Sequence, residues 1–231
     1  MTMPHTALAW PVCALELLPR ADRQRLLALC EPFVLADVLC ERSETTRHVY
    51  FPTDGFISLV TTVDERSGLE VGMIGREGML GAQLALRVSV TPLRALVQGP
   101  GTAWRVGAAP FRREVARSAA LQRGLNRYVY VLMGQLATCL RFHLIGPRLT
   151  RWLLMTQDRA HADRFRITHE FLAYMLGVRR VGITVAAGAL QRRGLIRYHR
   201  GELTILDRKR LEAVACDCYA ADCKTYSELI R

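Results

Sequence analysis

The chain has 231 residues, half of them apolar, and a formal net charge of +11 with a sequence pI of about 9.8. This length allows one large domain or two modest domains with a packed core. No uncharged apolar run of about 18 residues occurs, and the N-terminus lacks the charged start and long apolar core of a secretion signal. We therefore expect a cytoplasmic protein without membrane partners.

The basic charge is concentrated toward the C-terminus. Residues 146–231 contain 16 Lys and Arg against 9 Asp and Glu, whereas the longer stretch 1–145 contains 16 against 12. Such an uneven positive charge is typical of proteins that bind a polyanion. The alternative is a basic charge that only keeps the protein dispersed, and it is less favoured because the charge coincides with a motif described below.

The first hundred or so residues combine one helix with many short strands. A helix is predicted over residues 14–31, with Asp22 as a possible N-cap. Short apolar runs separated by turn residues then predict strands at residues 33–35, 48–51, 55–63, 69–74, 94–98 and 101–106. Many short strands at regular spacing predict a sandwich or a roll.

Residues 110–145 are predicted to form one long helix. Its apolar residues recur at the 4-3 spacing of a coiled-coil seam, at Leu125, Val129, Leu132, Leu136, Cys139 and His143. Further apolar positions widen this stripe, so the helix must bury two sides. One side would face the roll and the other a second copy of the chain; the alternative is a helix buried within a monomer. Gly146-Pro147 predicts a hinge after the helix.

The stretch Ile167–Gln191 predicts two short helices joined by a tight turn. Thr168 is a good N-cap for the first helix, Gly177 marks the turn, and the second helix begins near Arg179. Residues 179–193 carry four Arg and no acidic residue. This pattern predicts a helix-turn-helix, whose second helix lies in the major groove of DNA. The alternative is a helical hairpin inside an enzyme core.

A β-hairpin is predicted directly after the second helix, over Gly194–Asp207. Its turn falls at Arg200-Gly201, and its basic tip suits a neighbouring phosphate. A hairpin packed behind a recognition helix is a wing. A helix N-capped by Asp207 is predicted to follow, and the last ten or so residues are expected to be less ordered.

Residues 168–207 resemble the winged helix-turn-helix of the Crp/Fnr family of bacterial transcription regulators. The matching residues are Ile167-Thr168, Gly177-Val178, Arg179-Arg180 and Gly194-Leu195-Ile196. The resemblance implies an α+β fold with a jelly-roll-like β-roll sensor at residues 1–109. It further implies a dimerisation helix at 110–145 and a DNA-binding domain at 146–231. Its implied partners are double-stranded DNA, a second copy of the chain and RNA polymerase.

The resemblance also implies roles for individual residues at the DNA. Arg180 matches the family's base-contacting Arg, and a guanine O6/N7 fork is expected there. Val181 and Val185 stand at base-reading positions and can pack on a thymine methyl. We expect Thr168, Arg179, His199 and Arg200 to hold phosphates, and Thr184 to lie on the DNA-facing side.

In the family, a loop with a Gly-Glu pair, a short helix and an Arg-Ser-Ala triplet holds the effector. Gly75, Glu77 and Gly78 resemble the first part, and Arg94 stands about one place from the triplet's Arg. Because a buried anion needs its charge partner in register, we predict that cyclic AMP does not bind. The loop is then a structural relic or a pocket for an unknown small effector.

The seven cysteines are widely spaced, odd in number and unaccompanied by a secretion signal, which argues against a disulfide framework. Cys13, Cys30 and Cys40 do not match the closely spaced cluster ligands of the Fnr branch, so no iron–sulfur cluster is expected. Cys216, Cys218 and Cys223 are closer together, but no His stands at a familiar zinc spacing. Reduced thiols on a terminal helix are therefore favoured over a metal site.

The sequence thus predicts a homodimeric, sequence-specific DNA-binding regulator that acts on palindromic sites. The alternative from another class is an enzyme or small-molecule carrier built on the roll, with a C-terminal domain that is only structural. No nucleophile–base pair, paired catalytic carboxylates or metal-ligand spacing supports that alternative, so no catalytic residues are assigned.

Overall fold

The computed structural model describes residues 13–62, 68–137 and 143–230. Its N-terminal part is a five-stranded antiparallel sheet, made of β1 (Glu31–Val34), β2 (Val38–Cys40), β3 (His48–Thr62), β4 (Gly68–Ile74) and β5 (Arg94–Gly107). The strand order is β1-β5-β3-β4, with β2 also paired to β5. The sheet curls around its own apolar cluster, which confirms the predicted roll.

Two pairs of predicted strands are each one long strand. β3 runs through the expected turn at Pro52–Gly55, and the turn residues instead shift the register against β5 at Pro52/Asp54 and Asp54/Phe56. Such shifts bend a strand, and here they curl the sheet. Gly101 makes the close approach possible, because a Cβ there would lie 2.3 Å from the Asp54 carbonyl oxygen.

The helices are α1 (Arg20–Leu27), α2 (Ala108–Arg117), α3 (Ala119–Ala137), α4 (Ile145–Ala160), α5 (His169–Leu176), α6 (Arg180–Arg192), α7 (Arg208–Glu212) and α8 (Cys218–Leu229), with a short 3₁₀ helix at Ala82–Leu86. None of the described helices is by itself long and apolar enough to cross a membrane. Only α5 and α6 taken together reach that length and apolarity, and they are bent by 109°.

The prediction of one helix over residues 110–145 was wrong. The backbone is extended at Ser118, and the Ser118 side-chain oxygen accepts a hydrogen bond from the Leu121 N–H at 3.0 Å. Ser118 therefore caps α3 and separates it from α2. Gly146 and Pro147 do not interrupt a helix, because both lie in the first turn of α4, where a missing N–H is tolerated; a hinge at this point stays a prediction.

The expectation of a less ordered C-terminus was also wrong. The last residues form α8, which packs on α3 and α4. Tyr226 is 1% exposed and lies with Ile230 in the core shared by the roll, α1 and α3. The chain end thus returns to the N-terminal core.

Candidate DNA interface

The helix-turn-helix is built from α5, a tight turn and α6. The Thr168 side-chain oxygen accepts a hydrogen bond from the Phe171 N–H at 3.1 Å and so caps α5, as predicted. Gly177 ends α5 in the left-handed conformation, with φ at 60°, where a residue without a Cβ is least strained. The 109° bend then sends α6 across α5.

α6 buries one face and leaves the opposite face open. Ile183, Ala187 and Leu190 are buried against α4, α5 and the hairpin. Arg179, at the N-cap, and Arg180 are exposed, and Val181 and Val185 are 66% and 65% exposed. The N-terminal half of α6 therefore presents two guanidinium groups and two short apolar side chains outward.

Val181 and Val185 also line a groove on the surface of the domain. They line an apolar groove of about 540 Å³ between α6 and the start of α4, together with Leu144, which is 81% exposed. The groove lies beside the outward face of α6, so these valines are accessible from two directions.

Three elements of the domain meet at His169, which the sequence reading did not single out. Its ring stacks on Tyr198 of the hairpin, with centroids 4.3 Å apart, and its Nδ1 lies 3.1 Å from the Thr184 hydroxyl of α6. Burial and the nearby Arg180 lower the pKa of His169, which favours a neutral ring. The only sequence signal for this contact between α5, α6 and the hairpin is the position of His169 directly after the N-cap Thr168.

The wing forms as predicted from β7 (Ile196–His199) and β8 (Glu202–Ile205). Arg200 and Gly201 both have positive φ, at 48° and 80°, as a two-residue hairpin turn requires. His199 and Arg200 are exposed at its tip. A third strand, β6 (Arg164–Arg166), pairs with β8.

The candidate DNA-contacting residues therefore fall into two groups. The N-terminal half of α6 carries Arg179, Arg180, Val181, Thr184 and Val185, and the wing tip carries His199 and Arg200. The Thr168 oxygen is already engaged as a cap, and the Thr184 hydroxyl donates to the Arg180 carbonyl oxygen at 3.2 Å.

The four predicted effector-pocket residues do not form one site. Glu77 is 3% exposed and pairs with Arg159 of α4, with Oε1 2.8 Å from Nη2. A Cβ at Gly75 or Gly78 would collide with Glu77 or Tyr128, so these glycines serve close packing. Arg94 instead pairs with Glu41, at 3.0 Å. Gly75 and Glu77 thus join the roll to α4, and Gly78 packs on Tyr128 of α3, so their assignment to a pocket with Arg94 was wrong.

The short helix that the resemblance implies follows this loop. Gly81, with φ at 97°, precedes the 3₁₀ helix Ala82–Leu86. A cavity of about 190 Å³ beside it is lined by residues that include Gly81, Gln83, Thr46 and Thr91. A larger cavity of about 250 Å³ lies between α3, α8 and the N-terminal segment.

The predicted coiled-coil seam packs mostly on the chain's own roll. Leu125 is 4% exposed within the core of the same chain, and a Cβ at Gly72 of β4 would lie 3.7 Å from Leu132 and 3.5 Å from Leu136. Val129 is half-buried there, and Cys139 lies outside the described residues. The assignment of Leu125 to a partner was therefore wrong. The outward face of α3 instead carries Tyr130 and Met133, which are 66% and 62% exposed.

His143, the last residue of the predicted seam, lies next to the C-terminal cysteines. Its Nε2 is 3.4 Å from the Sγ of Cys218, and the Sγ of Cys216 is close to both. The sequence reading found no His near these cysteines because His143 lies 75 residues before Cys218.

Comparison with known proteins agrees with this architecture. Residues 147–214 match the family of the Crp-like helix-turn-helix domain. No curated protein sequence matched the chain. Among solved structures, the fold is similar to a Crp/Fnr family transcriptional regulator from Eubacterium rectale, with 19% identity, 85% of this chain and 94% of that chain covered, and a TM-score of 0.66.

Two further structures have the same fold. FixK2 from Bradyrhizobium japonicum has 13% identity, with 81% of this chain and 98% of the FixK2 chain covered and a TM-score of 0.68. The regulator CLP of Xanthomonas campestris has 14% identity, with 82% of this chain and 100% of that chain covered and a TM-score of 0.67. The predicted resemblance is thus confirmed: the chain has the Crp/Fnr regulator fold and a Crp-like helix-turn-helix DNA-binding domain. The matches are to a transcription regulator rather than to an enzyme.

Proposed function

We propose that the protein is a cytoplasmic transcription regulator that binds palindromic double-stranded DNA as a homodimer and has no catalytic activity. The observation that carries this proposal is the outward face of α6, where Arg179 and Arg180 project at the helix start on a Crp-like domain. The exposed Arg200 at the wing tip extends this basic face. Positive charge on both elements matches the phosphates that flank a major groove.

One group of side chains contacts bases, and the other contacts phosphates. Arg180, free of any ion pair among the described residues, reaches base edges and forks onto a guanine. Val181 and Val185 supply apolar contact to thymine methyls. Arg179, His199 and Arg200 hold phosphates with their side chains, and Thr168 marks the helix N-terminus of α5 that holds another; together they set the orientation of the domain.

Dimerisation would use the outward face of α3. Tyr130 and Met133 are exposed one turn apart, and Gly134 and Ala137 continue the same face at helical spacing. A Cβ at Gly134 would have no neighbour within 4 Å, so the chain itself leaves room for a second helix there. Two-fold symmetry would then present two recognition helices roughly 34 Å apart, one turn of DNA.

Sedimentation of a Tyr130→Asp/Met133→Asp variant tests the dimer. We expect a monomer that retains its fold and loses palindrome binding, because the two charges lie on the proposed interface and outside the core. Val88→Asp is the matched control, since Val88 is 48% exposed and lies off α3. An unchanged dimer in the α3 variant would contradict the proposed interface.

The roll would act as a sensor with an effector other than cyclic AMP, and RNA polymerase would be the second protein partner. Leu93-Arg94-Ala95 stands where the resemblance places the Arg-Ser-Ala triplet, and Arg94 pairs with Glu41; both observations support the prediction on cyclic AMP. We expect neither an iron–sulfur cluster nor a cyclic nucleotide in the purified protein.

Selection of bound DNA from a random pool tests the function directly. We expect enrichment of a two-fold symmetric site whose half-sites are centred about 10–10.5 base pairs apart. Binding without enrichment of any sequence would show a non-specific DNA-binding protein. No retention of DNA at low salt would remove the proposal altogether.

A further inference from the structure

Three side chains with nitrogen and sulfur donors converge where α4 and α8 begin. His143 directly precedes the N-cap of α4, Cys216 precedes α8, and Cys218 is the first residue of α8. Their ligand atoms all lie within 4.8 Å of one another. In the described part of the chain, this is the one group of three such ligands at this spacing.

We propose that His143, Cys216 and Cys218 form a binding site for Zn²⁺. Thiolate sulfur and imidazole nitrogen are the donors that Zn²⁺ takes in proteins, at about 2.3 Å and 2.0–2.1 Å. With tetrahedral angles these bond lengths place a sulfur and a nitrogen ligand about 3.6 Å apart. The Sγ of Cys218 and the Nε2 of His143 are 3.4 Å apart, so an ion fits with a small outward movement.

The same distance also allows a simple hydrogen bond from the Cys218 thiol to the His143 ring. That contact accounts for two of the three residues. The sulfur of Cys216 is buried within 4.8 Å of both. This third donor distinguishes a metal site, which needs at least three protein ligands, from a hydrogen-bonded pair.

The site is exposed enough for Zn²⁺ to enter from solvent and for a fourth ligand to reach the ion. Cys216 is buried, whereas His143 and Cys218 are half-buried, so an ion has a path from solvent. Three protein ligands leave one tetrahedral position for water or another donor. The ion would be held less tightly than in a site with four protein ligands.

The ion would connect the start of α4 to the start of α8. α4 carries the helix-turn-helix through its packing on α5 and α6, and α8 packs on α3. Zn²⁺ would therefore cross-link residues 75 positions apart in sequence at the junction of the dimerisation helix and the DNA-binding domain. Zn²⁺ binding at this site does not depend on DNA binding.

Binding would release protons in a fixed proportion. Zn²⁺ displaces the protons of the Cys216 and Cys218 thiols and forms two Zn–S bonds, and an unprotonated ring nitrogen of His143 donates its lone pair. No electron is transferred, so no oxidant or reductant is needed. About two protons per ion should therefore appear in calorimetry at pH 7 in buffers of different ionisation enthalpy.

Competition with a chromophoric zinc chelator on the full-length, metal-free chain tests the site. We expect one Zn²⁺ per chain, an affinity at least 100-fold weaker in Cys216→Ser/Cys218→Ser, and one at least 10-fold weaker in His143→Ala. Cys30→Ser is the control, since Cys30 is also half-buried and lies outside the group. Circular dichroism and melting of each metal-free variant establish that it is folded.

Cobalt supplies an independent readout. Co²⁺ in this site should give a sulfur-to-metal charge-transfer band and tetrahedral d–d absorption, both lost in the double cysteine variant. The proposal is overturned if Co²⁺ gives no sulfur band in the wild-type chain. It is equally overturned if the double variant keeps the wild-type zinc affinity.

Discussion

The ion pair between Glu77 and Arg159 joins the roll to the first helix of the DNA-binding domain. The two side chains are 3% and 1% exposed, and Oε1 lies 2.8 Å from Nη2 and 2.9 Å from Nε. The Gly75 N–H also donates to the carboxylate, at 3.2 Å. Removing the charge of Glu77 leaves a guanidinium in a buried place without its counter-ion. Loss of one partner of a buried pair typically costs about 3–5 kcal/mol.

Glu77→Gln and Arg159→Met should therefore each lower the free energy of unfolding by about 3–5 kcal/mol. The double variant should recover much of this loss, because it leaves no uncompensated charge, and a coupling of at least about 1 kcal/mol is expected. Urea unfolding followed by tryptophan fluorescence measures both, since Trp152 is buried in α4.

Arg164→Met is the matched control for this cycle. Its partner Glu202 lies 3.2 Å away, but the two side chains are 52–64% exposed, and such a pair contributes about 0–1 kcal/mol. The reasoning is refuted if either single substitution at the buried pair costs no more than Arg164→Met. It is also refuted if the two losses simply add.

Two further predictions concern pH and packing. Burial raises the pKa of Glu70 to about 7, although the carboxylate accepts a hydrogen bond from Ser58, which lowers the pKa. The contribution of Glu70 to the free energy of unfolding is therefore full below about pH 4.5 and is lost as the pH rises through 7. Relative to the wild type, the free energy of unfolding of Glu70→Gln should rise by on the order of 1–2 kcal/mol between pH 5 and pH 8. Gly78→Ala should lower stability by about 1–3 kcal/mol, because its Cβ would lie 2.4 Å from the Tyr128 hydroxyl. Gly146→Ala, with nothing within 4 Å, should be neutral or stabilising by up to about 1 kcal/mol.

Thermal melts from pH 5 to pH 8 measure the first effect, and urea unfolding measures the second. A Glu70→Gln variant that follows the wild type in parallel across this range would show that Glu70 ionises normally. Equal losses for Gly78→Ala and Gly146→Ala would show that the contact with Tyr128 is unimportant.

Local signals predicted the DNA-binding domain well. Thr168 and Asp207 cap helices by accepting hydrogen bonds from backbone N–H groups three residues later, and Gly177 ends α5 in a left-handed turn. These roles depend only on near neighbours in sequence, so residue spacing predicts them. The wing turn at Arg200-Gly201 is a local signal of the same kind. The helix-turn-helix could therefore be placed to within one or two residues.

Features that depend on distant contacts were missed. The 4-3 spacing on α3 indicates an apolar face but not which surface covers it, and the roll covers Leu125. The interdomain pair of Glu77 with Arg159 spans 82 residues and has no local pattern. The convergence of His143 with Cys216 and Cys218 depends on how α8 folds back, which no spacing rule contains.

Base preference in Arg180→Ala is the most direct test of the central claim that α6 reads sequence while the wing holds the backbone. Selection from a random DNA pool, run beside Arg200→Ala, supplies the comparison. We predict that Arg180→Ala relaxes preference at one base pair per half-site, at about 1–3 kcal/mol. Arg200→Ala should weaken all sequences alike and reduce the salt slope by roughly one unit. Uniform weakening by Arg180→Ala with unchanged preference would make Arg180 a phosphate contact and contradict this account.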